Sequence, residues 1–251
     1  MILLLDIEST GLKPGVDRVV ELGMMVTSED YTVVHNKYSK LIWDDTYPEM
    51  LPEVTAVNGI TTDMLKGNSI PPWVACADIE ALMYSYGVRY IIAYNAQFDK
   101  EFISREMQVV GKTKYQDYKW LCAMADVRAN MKCSSWKLMH VALDHGVTVN
   151  PKELHRAIND VELMRQMLVA ADARPTEMYA YQQSPNVYVQ AHVKKPWDDD
   201  GLSTQQAKKL GFSWEKARGD SRIFQKTWVK RIKECDLLEQ QATFPFITTI
   251  L

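Results

Sequence analysis

The N-terminus combines a strongly apolar run with two acidic side chains. Residues 2–7 read Ile-Leu-Leu-Leu-Asp-Ile, a pattern typical of a short central strand that is buried on both faces of a sheet. Because residues two apart in a strand point to the same side, Asp6 and Glu8 present two carboxylates together where this strand ends. Taken alone, such a pair could equally be a surface feature.

Two further acids lie on the apolar stripes of predicted helices. Asp99 precedes Phe102 by three residues and Asp160 precedes Met164 by four, so each acid shares the face that its helix buries. Burying an ionised carboxylate is costly unless the group is paired or binds a metal, so all four acids are expected to converge on divalent cations. Oxygen-only ligation favours Mg²⁺ or Mn²⁺ over zinc. Two such ions about 3.5–4 Å apart could clamp both reacting oxygens of a phosphodiester.

A histidine accompanies the last of these acids. His155 lies five residues before Asp160, near the predicted start of the helix, and is expected on a loop over the acids. A histidine has an ordinary pKa of about 6.5, so a partly exposed one can take a proton from a metal-bound water at neutral pH. A surface or structural role is the interpretation for the other histidines, His35, His140, His145 and His192.

Hydrophobic periodicity predicts an α/β layered domain followed by a small module. The expected strands cover Ile2–Ile7, Val19–Thr27, Tyr31–Ile42, Tyr90–Tyr94 and Trp120–Cys122. The first three read as an antiparallel meander, and the last two alternate with helices. We therefore expect a main domain at residues 1–174, a linker at 175–200 and a module at 201–251.

The composition is that of a folded chain with one sizeable core. Of 251 residues, 47% are hydrophobic and 24% are charged, which excludes wholesale disorder, collagen and coiled coil. No run approaches the ~18 apolar residues of a membrane span, and the first apolar run lacks the basic flank of a signal peptide. A cytoplasmic location without a membrane partner is expected. The four cysteines lie too far apart to indicate a disulfide framework or a cysteine-rich zinc site.

The net charge of −3 conceals two unlike regions. Between Lys208 and Lys233, nine basic residues stand against two acids, so this stretch carries +7 and the remainder −10. Aromatic residues interleave with these cations, a combination that suits stacking on bases beside contacts to phosphates. Alternatively, the aromatics are the core of the module and the cations a solvated face. The candidate nucleic-acid-binding residues here are Lys208, Lys209, Trp214, Lys226, Trp228, Lys230 and Arg231.

Three short motifs occur in order along the chain. They are Asp6-Ile7-Glu8-Ser9-Thr10-Gly11, Asn95-Ala96-Gln97-Phe98-Asp99 and His155-Arg156-Ala157-Ile158-Asn159-Asp160. Together they resemble the motifs of DnaQ-like 3′–5′ exonucleases of the histidine-bearing (DEDDh) subgroup, over roughly residues 1–172. The resemblance implies an RNase H-like fold, with a mixed five-stranded sheet flanked by helices. It also implies hydrolysis that releases nucleoside 5′-monophosphates from a 3′ end.

The resemblance further implies roles for single residues. Asp6, Glu8 and Asp160 would hold the nucleophile-side metal, and Asp6 would also bridge to a second ion. Asp99 would ligate through water, and His155 would be the general base. The residues implied to contact the substrate are Ser9, Thr10, Leu12, Asn58, Asn95 and Phe98.

Nucleic acid 3′ ends are the expected partner, with single-stranded DNA favoured over RNA. Asn58 and Tyr94 stand where the family often has histidine, which puts substrate preference rather than activity in doubt. The alternative is a proofreading or replisome-associated subunit whose nuclease serves a polymerase or a sliding clamp. The tail around Phe244 and Phe246 is similar to clamp-docking peptides, although both rings could pack back onto the module.

Overall fold

The computed structural model describes residues 1–112, 118–127, 135–194, 196, 202–216 and 226–251. The chain divides into two units, Met1–Tyr179 and Ala180–Leu251. The strands of the first unit are β1 (Ile2–Ser9), β2 (Val19–Thr27), β3 (Val34–Ile42), β4 (Ser69–Ile70), β5 (Tyr90–Ala93) and β6 (Lys119–Cys122). Its helices are α1 (Pro52–Asn58), α2 (Thr62–Gly67), α3 (Pro72–Ser85), α4 (Ala96–Val109), α5 (Ala123–Asp126), α6 (Leu138–Asp144) and α7 (Ala157–Ala170), and α8 (Pro175–Gln183) continues into the second unit.

Strand β1 lies inside a mixed sheet whose order is β4-β3-β2-β1-β5-β6. It pairs antiparallel with β2 and parallel with β5, as a central strand must. The five predicted strands are all present, and the two-residue β4 adds a sixth at the edge. Residues Ile2 to Leu5 have no exposed surface, which confirms that the apolar run is buried on both faces.

The side-chain alternation of β1 divides the core into two layers. Leu3 and Leu5 pack among residues of α3 and α4, whereas Ile2 and Leu4 pack among residues of α6 and α7. The even positions continue into Asp6 and Glu8. The two carboxylates therefore emerge on the α7 side of the sheet, beyond the end of its apolar layer.

The second unit is built on a small antiparallel sheet. Its further elements are β7 (Asn186–Ala191), α9 (Leu202–Lys209), β8 (Ser213–Lys216), β9 (Lys226–Lys233), α10 (Leu237–Gln241) and β10 (Thr248–Ile250). The strand order is β10-β7-β9-β8, and every pair is antiparallel. Among the described residues, its core contains Val189, Ala191, Ala207, Phe212, Trp228 and Ile232.

The structure differs from the expected linker over residues 175–200. This segment contains α8 and β7, and β7 pairs on both sides, with β9 and β10. Val189 and Ala191 alternate into the core, a period of two that neighbouring polar residues and prolines obscure in the sequence. The last part of the segment, at 195 and 197–200, lies outside the described residues. Among the described helices, none is long and apolar enough to cross a membrane.

Candidate active site

Three predicted residues from two distant segments of the chain form a compact set of ligand atoms. Carboxylate oxygens of Glu8 and Asp160 and a ring nitrogen of His155 all lie within 4.8 Å of one another. Glu8 is at the end of β1, Asp160 is in the first turn of α7, and His155 is in the loop before that helix. The arrangement could hold a divalent cation.

The other two predicted acids adjoin this cluster. The pKa of Asp6 is raised well above its ordinary range, mainly by burial and then by the charges of Asp99, Asp160 and Glu8. Asp99 is 3% exposed at the start of α4, and the backbone amide of Ile7 hydrogen-bonds its carboxylate. Pairing of β1 with β5 ends at Leu4, so β1 runs past its neighbour and reaches this acid.

Burial raises the pKa of all four carboxyl groups, and repulsion from neighbouring acids adds to that effect. Burial raises the pKa of Glu8 to about 7 and that of Asp99 to about 7. Burial raises the pKa of Asp160 to about 6, although the adjacent His155 acts in the opposite direction. Four carboxyl groups whose charged forms are this disfavoured suit a bound cation, which would stabilise the ionised state.

Asn58 contacts the acids directly, which the sequence did not reveal. The residue is buried at the end of α1, and its side chain hydrogen-bonds Glu8. Its amide oxygen accepts a hydrogen bond of 3.0 Å from the backbone N–H of Ile60. Asn58 was expected to contact the substrate, whereas the contact found here orients a carboxylate of the cluster.

The loop between β1 and β2 is held by its own side chains. The hydroxyl of Thr10 donates to Asp17 at 3.2 Å and accepts from the backbone N–H of Arg18 at 3.0 Å. The Arg18 guanidinium forms a 2.7 Å ion pair with buried Glu106 on α4. Ser9 and Thr10 are consequently buried, whereas Leu12 is 80% exposed and available to a ligand.

The remaining candidates of the first unit lie around the start of α4. Asn95 is exposed at the N-cap, and its side chain makes no capping hydrogen bond. Phe98 is half-buried with its ring 4.8 Å from that of Phe102. The Tyr94 hydroxyl donates to the backbone oxygen of Trp136 at 2.7 Å.

In the second unit, the structure corrects the expectation for Trp228. Its side chain is 1% exposed, packs edge-on against Trp214 and donates to the backbone oxygen of Lys194. A ring in the core cannot stack on a base, so Trp228 belongs to the core of the module, which was the alternative to base stacking. Phe244 and Phe246 likewise pack against the Phe212 ring.

The cations of the second unit are more accessible than its aromatics. The side chain of Lys230 is half-buried, with its ammonium 5.4 Å from the Phe244 ring centre. Arg218 and Arg222 lie outside the described residues. The exposed candidates are Lys208, Lys209, Lys226 and Arg231.

Sequence reasoning missed one buried acid beside the cluster. Glu21 is 1% exposed in β2 and directly opposite Glu8, and its carboxylate binds Arg156. The available signal was the same as for Asp6, an acid inside an otherwise apolar strand, Val19–Thr27.

Comparison with known proteins agrees with this fold. Residues 3–168 match the RNase_T exonuclease family. The chain is 27% identical over 194 residues to DNA polymerase III subunit epsilon of Treponema pallidum (strain Nichols), covering 76% of this chain and 82% of that protein. It is 29% identical over 168 residues to DNA polymerase III PolC-type of Thermotoga petrophila, covering 66% of this chain and 11% of that protein.

Solved structures of E. coli exonuclease I share the fold. The zinc-bound form of its complex with single-stranded DNA superimposes with a TM-score of 0.63 over 92% of this chain, at 16% identity. The chain spans 62% of the length of that exonuclease I chain. The family match covers most of the first unit, and the mixed sheet flanked by helices is the architecture expected from the motifs. The chain therefore belongs to the exonuclease family, as a DnaQ-like member of the RNase H-like superfamily.

Proposed function

We propose that this protein is a metal-dependent 3′–5′ exonuclease that removes nucleoside 5′-monophosphates from the 3′ end of DNA. The observation that carries the proposal is the convergence of Glu8, His155 and Asp160 within 4.8 Å. Asp6 and Asp99 complete the set, because each interacts with other carboxylates of the cluster. Five groups of this chemistry are what the histidine-bearing subgroup requires.

The donor set fits two divalent ions. Asp6, Glu8 and Asp160 would hold one ion, and Asp6 and Asp99 would contribute to holding the second. Carboxylate oxygens dominate this set, which favours Mg²⁺ or Mn²⁺. Such ions supply Lewis acidity and neutralise charge at the reacting phosphate.

His155 acts as the general base in this proposal. Its side chain is exposed, while its backbone N–H donates to the Asp160 carboxylate at 3.2 Å. The ring is thus accessible to water but held beside the acids. It would take a proton from the water that attacks the last phosphodiester, and the bond from phosphorus to the preceding 3′ oxygen would break.

The substrate side of the proposal rests on exposed or half-buried groups of the β1–β2 loop and of the start of α4. Leu12 projects from the β1–β2 loop, and Asn95 and Phe98 begin α4. Apolar and aromatic surfaces beside a 3′-phosphodiester suit a terminal base and sugar. DNA is preferred over RNA because the Treponema relative is named a DNA polymerase subunit and exonuclease I was solved with single-stranded DNA.

A degradation assay tests the proposal. Single-stranded DNA, duplex DNA and RNA of one sequence would be labelled at either end and incubated with Mg²⁺ or Mn²⁺. We expect 5′-labelled single-stranded DNA to shorten stepwise from its 3′ end, and Asp6→Ala or Asp160→Asn to abolish release of mononucleotides without unfolding the protein. Full activity in either variant, or degradation from the 5′ end, would overturn it.

A second candidate function is service to a polymerase as a proofreading subunit. The observation that favours it is the similarity to DNA polymerase III subunit epsilon, which extends over 82% of that protein. Mixing the chain with the replicative polymerase of its own organism, followed by size-exclusion chromatography, tests this candidate. Co-elution and faster excision of a mismatched 3′ end would support it, and separate elution would exclude it.

A further inference from the structure

An ion pair between buried Glu21 and partly exposed Arg156 connects β2 to the loop that carries the candidate base. The Glu21 carboxylate accepts a 2.7 Å hydrogen bond from Arg156 Nη2 and one of 3.1 Å from Arg156 Nε. It also accepts one of 3.1 Å from the backbone N–H of Ala157. A single side chain thereby binds both the residue after His155 and the first residue of α7.

The backbone of β2 approaches the same point. A Cβ added to Gly23 would lie 2.4 Å from the carbonyl carbon of Ala157 and 2.5 Å from the nitrogen of Ile158. Gly23 is two residues after Glu21, on the same face of the strand. Side chain and backbone of one strand therefore fix the start of α7 together.

This start of α7 bears a strained backbone. His155 has a φ of 61°, a left-handed conformation that residues with a Cβ seldom adopt. Such conformations persist only where the surrounding contacts determine them, and they cluster at functional sites. Here the contacts are the hydrogen bond from His155 N–H to Asp160 and the attachment of Arg156 to Glu21.

We propose that Glu21 and Arg156 are positioning residues that hold His155 and Asp160 against Glu8. The inference deepens the proposed function and rests on it for the meaning of the site. Glu21 and Glu8 are directly opposite each other in the β1–β2 pair. The ion pair therefore attaches α7 and its preceding loop to β2, which is the neighbour of β1. This attachment keeps Glu8, His155 and Asp160 close enough together to bind one cation.

Conservative variants test this role without emptying the core. Glu21→Gln keeps the volume of the side chain and removes its charge, and Arg156→Lys keeps the charge and removes the two-pronged hydrogen bonding. We expect kcat on a short oligonucleotide to fall about 10- to 100-fold in each, with KM changed by less than about two-fold. Mn²⁺ affinity without nucleic acid, measured by electron paramagnetic resonance, should fall about 10-fold.

A matched control lies on the same helix. Glu162 and Arg165 form a 2.6 Å ion pair three residues apart on α7. Glu162→Gln and Arg165→Lys should leave kcat and Mn²⁺ affinity unchanged while altering the urea midpoint by an amount similar to that in the test variants. The double variant of Glu21 and Arg156 should lose little more activity than either single one, because the two residues act as a unit.

Two results would overturn the inference. The first is that the Glu21→Gln and Arg156→Lys proteins are less stable but retain wild-type kcat and Mn²⁺ affinity. The ion pair would then stabilise the fold without positioning the site. The other is a backbone amide resonance of His155 that is unmoved in Glu21→Gln. If the wild-type protein degrades no nucleic acid, the proposed function fails, whereas the Mn²⁺ and resonance measurements still decide the positioning role.

Discussion

The two units of this protein place their charges in opposite ways. In the first unit, acids from β1, α4 and α7 lie close together at the end of a buried strand. In the second, cations such as Lys226 and Arg231 remain exposed around a small aromatic core. Burying an ionised acid costs free energy unless a partner or a cation compensates for it, whereas an exposed lysine is well solvated. Only the acids therefore identify a site.

The first unit also contains a comparison of its own. Glu21 and Glu106 are buried, at 1% and 5% exposure, but each binds an arginine, Arg156 or Arg18. Among the residues that the structure describes, no arginine pairs with Asp6 or Asp99, and the pKa values of both carboxyl groups are raised. Burial with an arginine therefore marks a structural or positioning acid, and burial among other acids marks a cation site.

The largest expected effect tests whether the exposed member of the cluster does chemistry. His155→Ala should lower kcat about 10²- to 10⁴-fold, the usual contribution of a general base. Single-turnover rates on a 5′-labelled oligonucleotide at saturating Mg²⁺ would measure it. His145→Ala, a change at a histidine in the turn after α6, should have no effect on the rate. Equal rates in the two variants would remove His155 from the mechanism.

The next effect concerns the close approach of β2 to α7. Gly23→Ala should destabilise the fold by about 2–3 kcal/mol, because its Cβ would overlap the Ala157 backbone. Gly67→Ala is the control, since a Cβ there meets nothing within 4 Å. Urea unfolding of both variants gives the comparison. A Gly23→Ala protein as stable as Gly67→Ala would contradict the packing described for the site.

Stability without metal should depend on pH in the sense set by the raised pKa values. Glu8 and Asp99 bind protons more tightly in the folded protein than in the unfolded chain, so their protonation stabilises the fold. This stabilisation is complete below about pH 4 and is lost as the pH rises through about 7. In EDTA, we expect the free energy of unfolding to fall by several kcal/mol between pH 5 and pH 8, because each of the two groups contributes about 2 kcal/mol or more over this interval.

Asp6→Asn should reduce that pH dependence, because it removes a charge that repels its neighbours, and excess Mg²⁺ should also counteract it. Urea titrations at several pH values provide the measurement. A metal-free protein whose stability rises over this interval would contradict the electrostatic description of the cluster.

The smallest effect concerns the second unit. The charge reversals Lys226→Glu and Arg231→Glu should weaken binding to long single-stranded DNA. They should also reduce the magnitude of the slope of log affinity against log salt concentration by about 0.7 for each lost phosphate contact. Hydrolysis of a short oligonucleotide should be unchanged. Fluorescence anisotropy at several salt concentrations measures the slope, and an unchanged slope would leave these cations as a solvated face.

The sequence by itself determined the central strand and the acids that cluster, because local periodicity states which face of an element is buried. His155 was predicted instead from its spacing to Asp160 and from the motif that it begins. An acid on a buried face is visible in the chain before any contact is known. Periodicity failed to predict β7, because that strand is short and polar residues interrupt its apolar positions within the expected linker. It also could not separate a base-stacking tryptophan from a core one.

Only the tertiary structure decided the partners. Glu21 binds Arg156, which lies 135 residues later in the chain, and the side chain of Asn58 at the end of α1 hydrogen-bonds Glu8 on β1. Trp228 is enclosed by strands and helices that pack around it from elsewhere in the second unit. Hydrogen bonds and burial of this kind depend on distances between elements, and periodicity within one element contains no information about those distances.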